Sequence, residues 1–167
     1  MDEFDAIEDR FARFAKHLAE DSTFRFNELR KCSFFDPVPN ECLMHISDLA
    51  KIRTFSSDDC LTSEGDDMNT FYVILFGTAN AYLNNKIVGT IGTGECIGEG
   101  VFFANESFSR SATVFADYKI IAAEFDKTGI DSLQADAKTK SYMDKALLLA
   151  LFKKLQGANR KLEELLR

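Results

Sequence analysis

The sequence predicts an α+β domain: an antiparallel, jelly-roll-like β-roll of about eight strands, flanked by N-terminal helices and a long C-terminal helix. Three observations predict it. Apolar residues recur at helical spacing through residues 1–35. Residues 51–125 then break into short β-rich runs at roughly ten-residue intervals. From about Asp126 the helical period returns and lasts to Arg167.

In chain order, Phe4, Ile7, Phe11, Phe14 and Leu18 fall on one face of the first helix, with charged residues elsewhere. A polar break at Asp21-Ser22-Thr23 precedes a second segment, Phe24 to Lys31, which Pro37 and Pro39 close off. Asn40 is placed to cap a short helix through Cys42, Leu43, Ile46 and Leu49. The runs that follow are 52–55, 60–62, 71–76, 79–83, 87–91, 112–116 and 120–125, with turn residues between them, and Asn84-Asn85 reads as a hairpin turn. In the last helix Leu148, Leu155 and Leu162 fall at a positions and Leu151, Ala158 and Leu165 at d, with Gly157 at c. Such a helix outruns what is needed to cover a small roll, so its stripe is expected to form a parallel dimer seam.

Composition narrows the function. The chain has 167 residues, net charge −7 and 46% hydrophobic residues. That suits one globular domain with a helical appendage. Its longest apolar runs, such as Ala146 to Phe152, are far short of a bilayer span, and Met1 to Phe4 has no signal-peptide character, so the expected compartment is the cytoplasm. Excess acid without a basic run disfavours nucleic acid as the main partner. Cys32, Cys42, Cys60 and Cys96 are too dispersed for a zinc or disulfide framework and read as reduced thiols. His17 and His45 both fall in helices, and no serine has a histidine nearby in sequence. No catalytic residue, metal or cofactor is called for, and an enzyme is not expected.

The chemistry concentrates in Ile97-Gly98-Glu99-Gly100-Val101-Phe102-Phe103 and Arg110-Ser111-Ala112-Thr113-Val114. A glycine leaving a strand lets backbone approach a ligand, and a short helix starting near Glu99 would present N–H groups that suit phosphate. Arg110 offers a planar fork for phosphate oxygens, and Glu99 an acceptor for a sugar hydroxyl. Together they describe a site for a sugar with an attached phosphate. The alternative is a structural Arg110–Glu99 ion pair on a module that binds nothing. Asp66 and Asp67 read as solvated turn residues rather than a metal or acid–base pair.

These segments, with Leu29 to Phe35, Glu64-Gly65-Asp66, Phe71 to Gly77 and Gly94 to Glu99, taken in order, resemble the cyclic-nucleotide-binding domain found in catabolite-activator-type regulators, protein kinase A regulatory subunits and cyclic-nucleotide-gated channels. The resemblance covers residues 24–152, leaving 1–23 as an N-terminal amphipathic helix and 153–167 as an extension of the C-terminal helix. It implies a phosphate-binding cassette over Gly98 to Ala112. Arg110 would pair with the cyclic phosphate and Glu99 would accept from the ribose 2′-hydroxyl. Backbone N–H groups of Gly100, Val101 and Ala112 would complete the cradle beside Ile97 and Gly98. Ser111 would add a hydroxyl, which points to cAMP over cGMP.

Several positions depart from the family pattern. Gly100 stands where an aliphatic residue is usual, Phe102 and Phe103 are bulkier, and the loop 104–109 is a residue or two longer. The resemblance further implies a regulatory sensor whose C-terminal helix closes over the base, with Leu147, Leu148 or Leu151 as the cap. It also implies output through a homodimer, or through an effector domain or partner protein at the terminal helices. A helix-turn-helix would need residues beyond Arg167, so this chain by itself is not expected to bind DNA.

Overall fold

The structure, a computed structural model, describes residues 3–103 and 109–167. Among the described residues eight strands form two four-stranded antiparallel sheets. The first has the order β1 (Lys51–Phe55), β8 (Ile120–Asp126), β3 (Thr70–Phe76), β6 (Cys96–Ile97); the second has β2 (Cys60–Thr62), β7 (Thr113–Ala116), β4 (Ala79–Leu83), β5 (Lys86–Ile91). The sequence reveals seven of these strands. β6 has two residues, paired through Tyr72 with Ile97 and Val73 with Cys96, and is too short to leave a period.

β3 and β8 are buried on both faces and therefore read as continuous apolar runs rather than as alternating strands. The pleat sends Phe71, Val73, Leu75, Ile121, Ala123 and Phe125 toward the helices. Their neighbours Tyr72, Ile74, Ile120 and Ala122 fill the inside of the roll with Leu61, Ile97 and Val114. On the helix side the phenylalanine excess becomes one chain of ring contacts. Phe34 meets Phe71 at 5.2 Å, and Phe71 meets Phe102 at 5.2 Å and Phe125 at 5.9 Å. The hairpin between β4 and β5 turns on Asn84 and Asn85, with φ of 49° and 59°, the left-handed pair that a two-residue turn requires.

Among the described residues five α-helices pack on this body: α1 (Glu3–Glu20), α2 (Ser22–Arg30), α3 (Asn40–Leu49), α4 (Lys127–Ala135) and α5 (Ala137–Leu165). The helical stretch expected over residues 1–35 is thus two α-helices and a 3₁₀ turn, Ser33–Phe35. The break at Asp21 is a cap, because its carboxylate accepts from the Phe24 N–H at 2.8 Å and starts α2 one residue later. Asp126 and Asp136 cap α4 and α5 in the same way, through Gly129 and Thr139 N–H groups at 3.0 Å each. By contrast, α3 is preceded by Pro39, and Asn40 is its first residue rather than its cap. The N-terminal stripe covers the roll through Phe11, Phe14, Ala15 and Leu18, with Phe11 edge-on to Phe76 at 5.8 Å. Phe4 and Ile7 are exposed.

α5 is buried through Thr139, Met143, Ala146 and Leu147, then runs on across the mouth of the roll. No described helix is long and apolar enough to cross a membrane.

Candidate functional site

Arg110 is held before its side chain is considered. Its N–H donates to the Asp66 carbonyl at 2.8 Å, and its carbonyl accepts from the Gly65 N–H at 2.9 Å. The turn after β2, read from sequence as solvated, therefore clamps the residue that leads into β7. The guanidinium turns inward and is only 6% exposed. Nη2 donates to both the carbonyl and the hydroxyl of Thr70, each at 2.8 Å.

Nη1 is buried and has no hydrogen-bond partner among the described residues. Burial pulls the Arg110 pKa down, while Tyr72, Glu99 and Asp66 pull it the other way. The group stays cationic, since its ordinary value lies far above neutrality. A buried, charged donor without an acceptor costs about 1–3 kcal/mol or more.

Gly98 gives the guanidinium its room. With φ of +83°, it lies where a Cβ would sit 2.2 Å from Arg110 Nη1 and 2.8 Å from the Thr70 carbonyl. Only glycine satisfies both the backbone and the space. The short helix expected from Glu99 is a 3₁₀ turn, Glu99–Phe103. Its first bond runs from the Val101 N–H to the Gly98 carbonyl at 3.1 Å. The Val101 amide, expected in the cradle, is bonded inside the turn, and its side chain belongs to the helix-side core. Gly100 is covered by Met68, whose Sδ would lie 2.6 Å from a Cβ there, so a methionine from another loop occupies the volume an aliphatic residue would take.

Glu99 does not pair with Arg110. Its Oε1 meets Lys154 Nζ of α5 at 2.7 Å, and the same ammonium donates to the Cys96 carbonyl at 3.1 Å. Two turns further on, Lys161 Nζ donates to the Val88 carbonyl of β5 at 2.7 Å. The two lysines fasten α5 across the opening, one to each sheet.

Beneath this helix lies a cavity of about 880 Å³, within the range of small-molecule sites. Ile97, Gly98, Glu99, Gly100, Arg110, Ser111 and Ala112 line one side of it, while Val101, expected with them, does not. Ala81, Ile91 and Val114 form an apolar floor, and Leu151, Lys154, Gly157 and Lys161 the roof. Of the three cap candidates, Leu147 is fully buried in the core and Leu148 is exposed, which leaves Leu151 at the cavity. The loop expected over 104–109 lies, apart from Ser109, outside the described residues; Ser109 bridges to Asp67. Sequence reading missed Thr70, Met68, Lys154 and Lys161. The first three meet the cassette and Lys161 meets Val88 of β5, each across a long sequence separation, and none belongs to a periodic or glycine-marked motif.

Among the described residues no three His, Cys, Asp or Glu side chains cluster to hold a metal. The thiols of Cys32 and Cys96 are both pushed up to about 12, chiefly by burial, whereas Cys60 is exposed. Since the thiolate is the nucleophile, iodoacetamide at neutral pH should label Cys60 in the folded chain and all four cysteines only after unfolding. Mass spectrometry of the intact chain reads the difference, and rapid labelling of Cys96 would contradict its burial.

A family model described as "Cyclic nucleotide-binding domain" matches residues 52–136, slightly over half of the chain. The chain belongs to the cyclic-nucleotide-binding domain family. Such domains are regulatory modules. Solved structures agree on the fold. A cyclic-nucleotide-binding domain from Methylobacillus flagellatus KT superposes with TM-score 0.71 at 22% identity, covering 84% of each chain. The cAMP-bound PfPKA-R gives 0.70 at 18% identity, over 86% of this chain and 48% of the other. The regulatory subunit of a cAMP-independent protein kinase A from Trypanosoma brucei gives 0.66 at 18% identity, over 90% of this chain and 53% of the other. The chain therefore spans about half the length of the last two.

Proposed function

We propose that this chain is a non-enzymatic sensor that binds cAMP in preference to cGMP and signals through α5, in the cytoplasm. The observation that carries it is Arg110 Nη1, a buried cationic donor left without an acceptor among the described residues at the wall of a nucleotide-sized cavity. A cyclic phosphate supplies the missing acceptor. The preference for cAMP rests on Ser111, which lines the cavity, and on the family resemblance. Calorimetric titration with both nucleotides tests it. Saturable binding with cAMP the tighter is expected, and equal or reversed affinities would overturn the preference.

In this reading the ribose hydroxyl takes the place of Lys154 on Glu99, and the phosphate meets Arg110. Displacing Lys154 frees one of the two fastenings of α5, so ligand affinity and helix position become linked. The ligand moves the helix only by as much as it prefers one position over the other. A partly exposed ion pair of this kind is worth roughly 0.2–1 kcal/mol. Lys154→Met should therefore tighten cAMP binding by about 1.4- to 5-fold. Weaker binding in that variant would mean that Lys154 holds the ligand rather than competing with it.

A second reading, a ligand-free structural module on the same fold, draws support from the same pair, because Glu99 is already satisfied within the chain. Absorbance at 260 nm released from denatured, freshly purified protein would favour the sensor. The Arg110 variant discussed below separates the two readings directly.

A further inference from the structure

One buried carboxylate takes no part in the site as described so far. Glu124 of β8 is only 9% exposed and lies on the face of its sheet that fills the inside of the roll. Its ladder partners are Lys51 on β1 and Tyr72 on β3. The Lys51 ammonium turns to Asp126. Arg53 approaches Glu124 only to 3.9 Å and has a side chain 57% exposed, a contact worth little. A charge held out of water needs a stronger compensation than that.

Tyr72 connects this carboxylate to the cavity. Thr70 and Tyr72 are two residues apart on β3 and so share a face, and Tyr72 stands directly opposite Glu124 in the ladder. The Tyr72 side chain is hydrogen-bonded to both Thr70 and Glu124. Thr70 Oγ1 in turn accepts from Arg110 Nη2 at 2.8 Å. The inventory of protons leaves this chain one direction. A guanidinium only donates, so the Thr70 hydroxyl, having accepted, gives its own proton to the Tyr72 oxygen. Tyr72 then gives its single proton to Glu124, because a carboxylate only accepts. The influences on the Tyr72 phenol have the matching signs: burial pushes its pKa up, the Thr70 bond draws it down and Glu124 pushes it up again.

We propose that Glu124 is the counter-charge that positions Arg110, acting through Tyr72 and Thr70 to hold Nη2 against β3 and leave Nη1 facing the cavity. Glu124 is not among the described residues that line the cavity, so it is a positioning residue rather than a ligand contact. Hydrogen bonds aligned in one direction polarise one another, so Nη2 is gripped more firmly than Thr70 alone would grip it. The guanidinium is thereby ordered before a phosphate arrives, and preorganisation of that kind raises affinity. The two intervening hydroxyls matter as much as the charge. A carboxylate touching Arg110 directly would occupy the nitrogen that the phosphate needs, whereas one at the far end of the chain fixes the arginine without competing. The proposal rests on the sensor reading only for naming phosphate as the acceptor that Nη1 awaits.

Guanidinium nitrogen–proton correlation spectra of the ligand-free full chain test the positioning directly. The Arg110 Nη protons, assigned by their loss in Arg110→Met, should be resolved in the wild type and merge by rotation in Tyr72→Phe, which keeps the ring beside Phe55. Calorimetry with cAMP tests the effect on binding. Tyr72→Phe and Glu124→Gln should each weaken it by about 2- to 12-fold, the loss of one hydrogen bond. The double variant should lose no more than the worse single one, because a chain in series is cut only once. A carboxylate acting merely as a nearby negative charge predicts the opposite sign, since neutralising it would tighten the binding of an anion. Unchanged or tighter binding in Glu124→Gln, additive losses in the double variant, or Arg110 signals that stay resolved in Tyr72→Phe would overturn the proposal. A wild type that binds no cAMP would overturn the sensor reading instead, and the ligand-free spectra would then decide the role of Glu124 alone.

Discussion

Arg110→Met is expected to abolish measurable cyclic-nucleotide binding while leaving the ligand-free domain folded and at least as heat-stable as the wild type. Two opposing terms set this pattern. With ligand present, the arginine contributes charge-assisted hydrogen bonds of roughly 1.5–3 kcal/mol each. Loss of two such bonds weakens binding by about 10²- to 10⁴-fold. Without ligand, the same side chain is a buried charge with one nitrogen unpartnered among the described residues, and its bonds to Thr70 only partly offset the desolvation. Methionine fills much of the volume and removes that cost. Thermal melts of both proteins, with and without saturating cAMP, read both halves at once. At a hundredfold excess over the dissociation constant the wild type should gain about 2.7 kcal/mol of stability. The variant should gain nothing. Were Arg110 a purely structural residue, the variant would melt lower and titrate unchanged.

Gly98→Ala is expected to damage stability and binding together. Its φ of +83° alone disfavours alanine, and the new methyl would lie 2.2 Å from Arg110 Nη1 and 2.8 Å from the Thr70 carbonyl. The carbonyl is fixed in β3, so the guanidinium has to leave its seat. A loss of roughly 1–3 kcal/mol in stability accompanies the loss of affinity. For a chain of this size each kcal/mol lowers the melting temperature by roughly 2–4 °C. Gly100→Ala is the control, because its methyl meets only the Sδ and Cε of Met68, the mobile end of a flexible side chain. Equal damage from the two substitutions would show that the whole turn, rather than the seat of Arg110, is what Gly98 protects.

The contrast between these two glycines also marks where sequence reading stops. Gly98 is conspicuous in the chain because it follows a strand and precedes an acidic residue, and the structure gives it the conformation that only glycine adopts readily. Gly100 looks like a departure until Met68 is seen covering it. The fold was legible because β3 and β8 are long apolar runs and the helices keep their period. Two-residue β6 was invisible for want of length. At the site, Arg110 and Glu99 could be singled out as chemically apt. Their partners could not, since Thr70 lies forty residues from Arg110 and Lys154 fifty-five from Glu99. The terminal heptad shows the same limit. Leu151 and Ala158, read in one stripe with Leu148, Leu155 and Leu162, line the cavity, while those three leucines are exposed.

The fastening of α5 has a further consequence, in how the protein responds to ionic strength. Salt screens exposed pairs well and buried ones poorly, with a Debye length of about 8 Å at physiological strength. Lys154 and Glu99 have side chains 43% and 14% exposed, while Arg110 lies almost wholly out of solvent. If α5 competes with the ligand and Arg110 holds it, as proposed, added salt loosens the helix more than it weakens the arginine. An open basic patch loses its anions as salt rises. This site should hold its cyclic nucleotide with nearly constant, or slightly increasing, affinity.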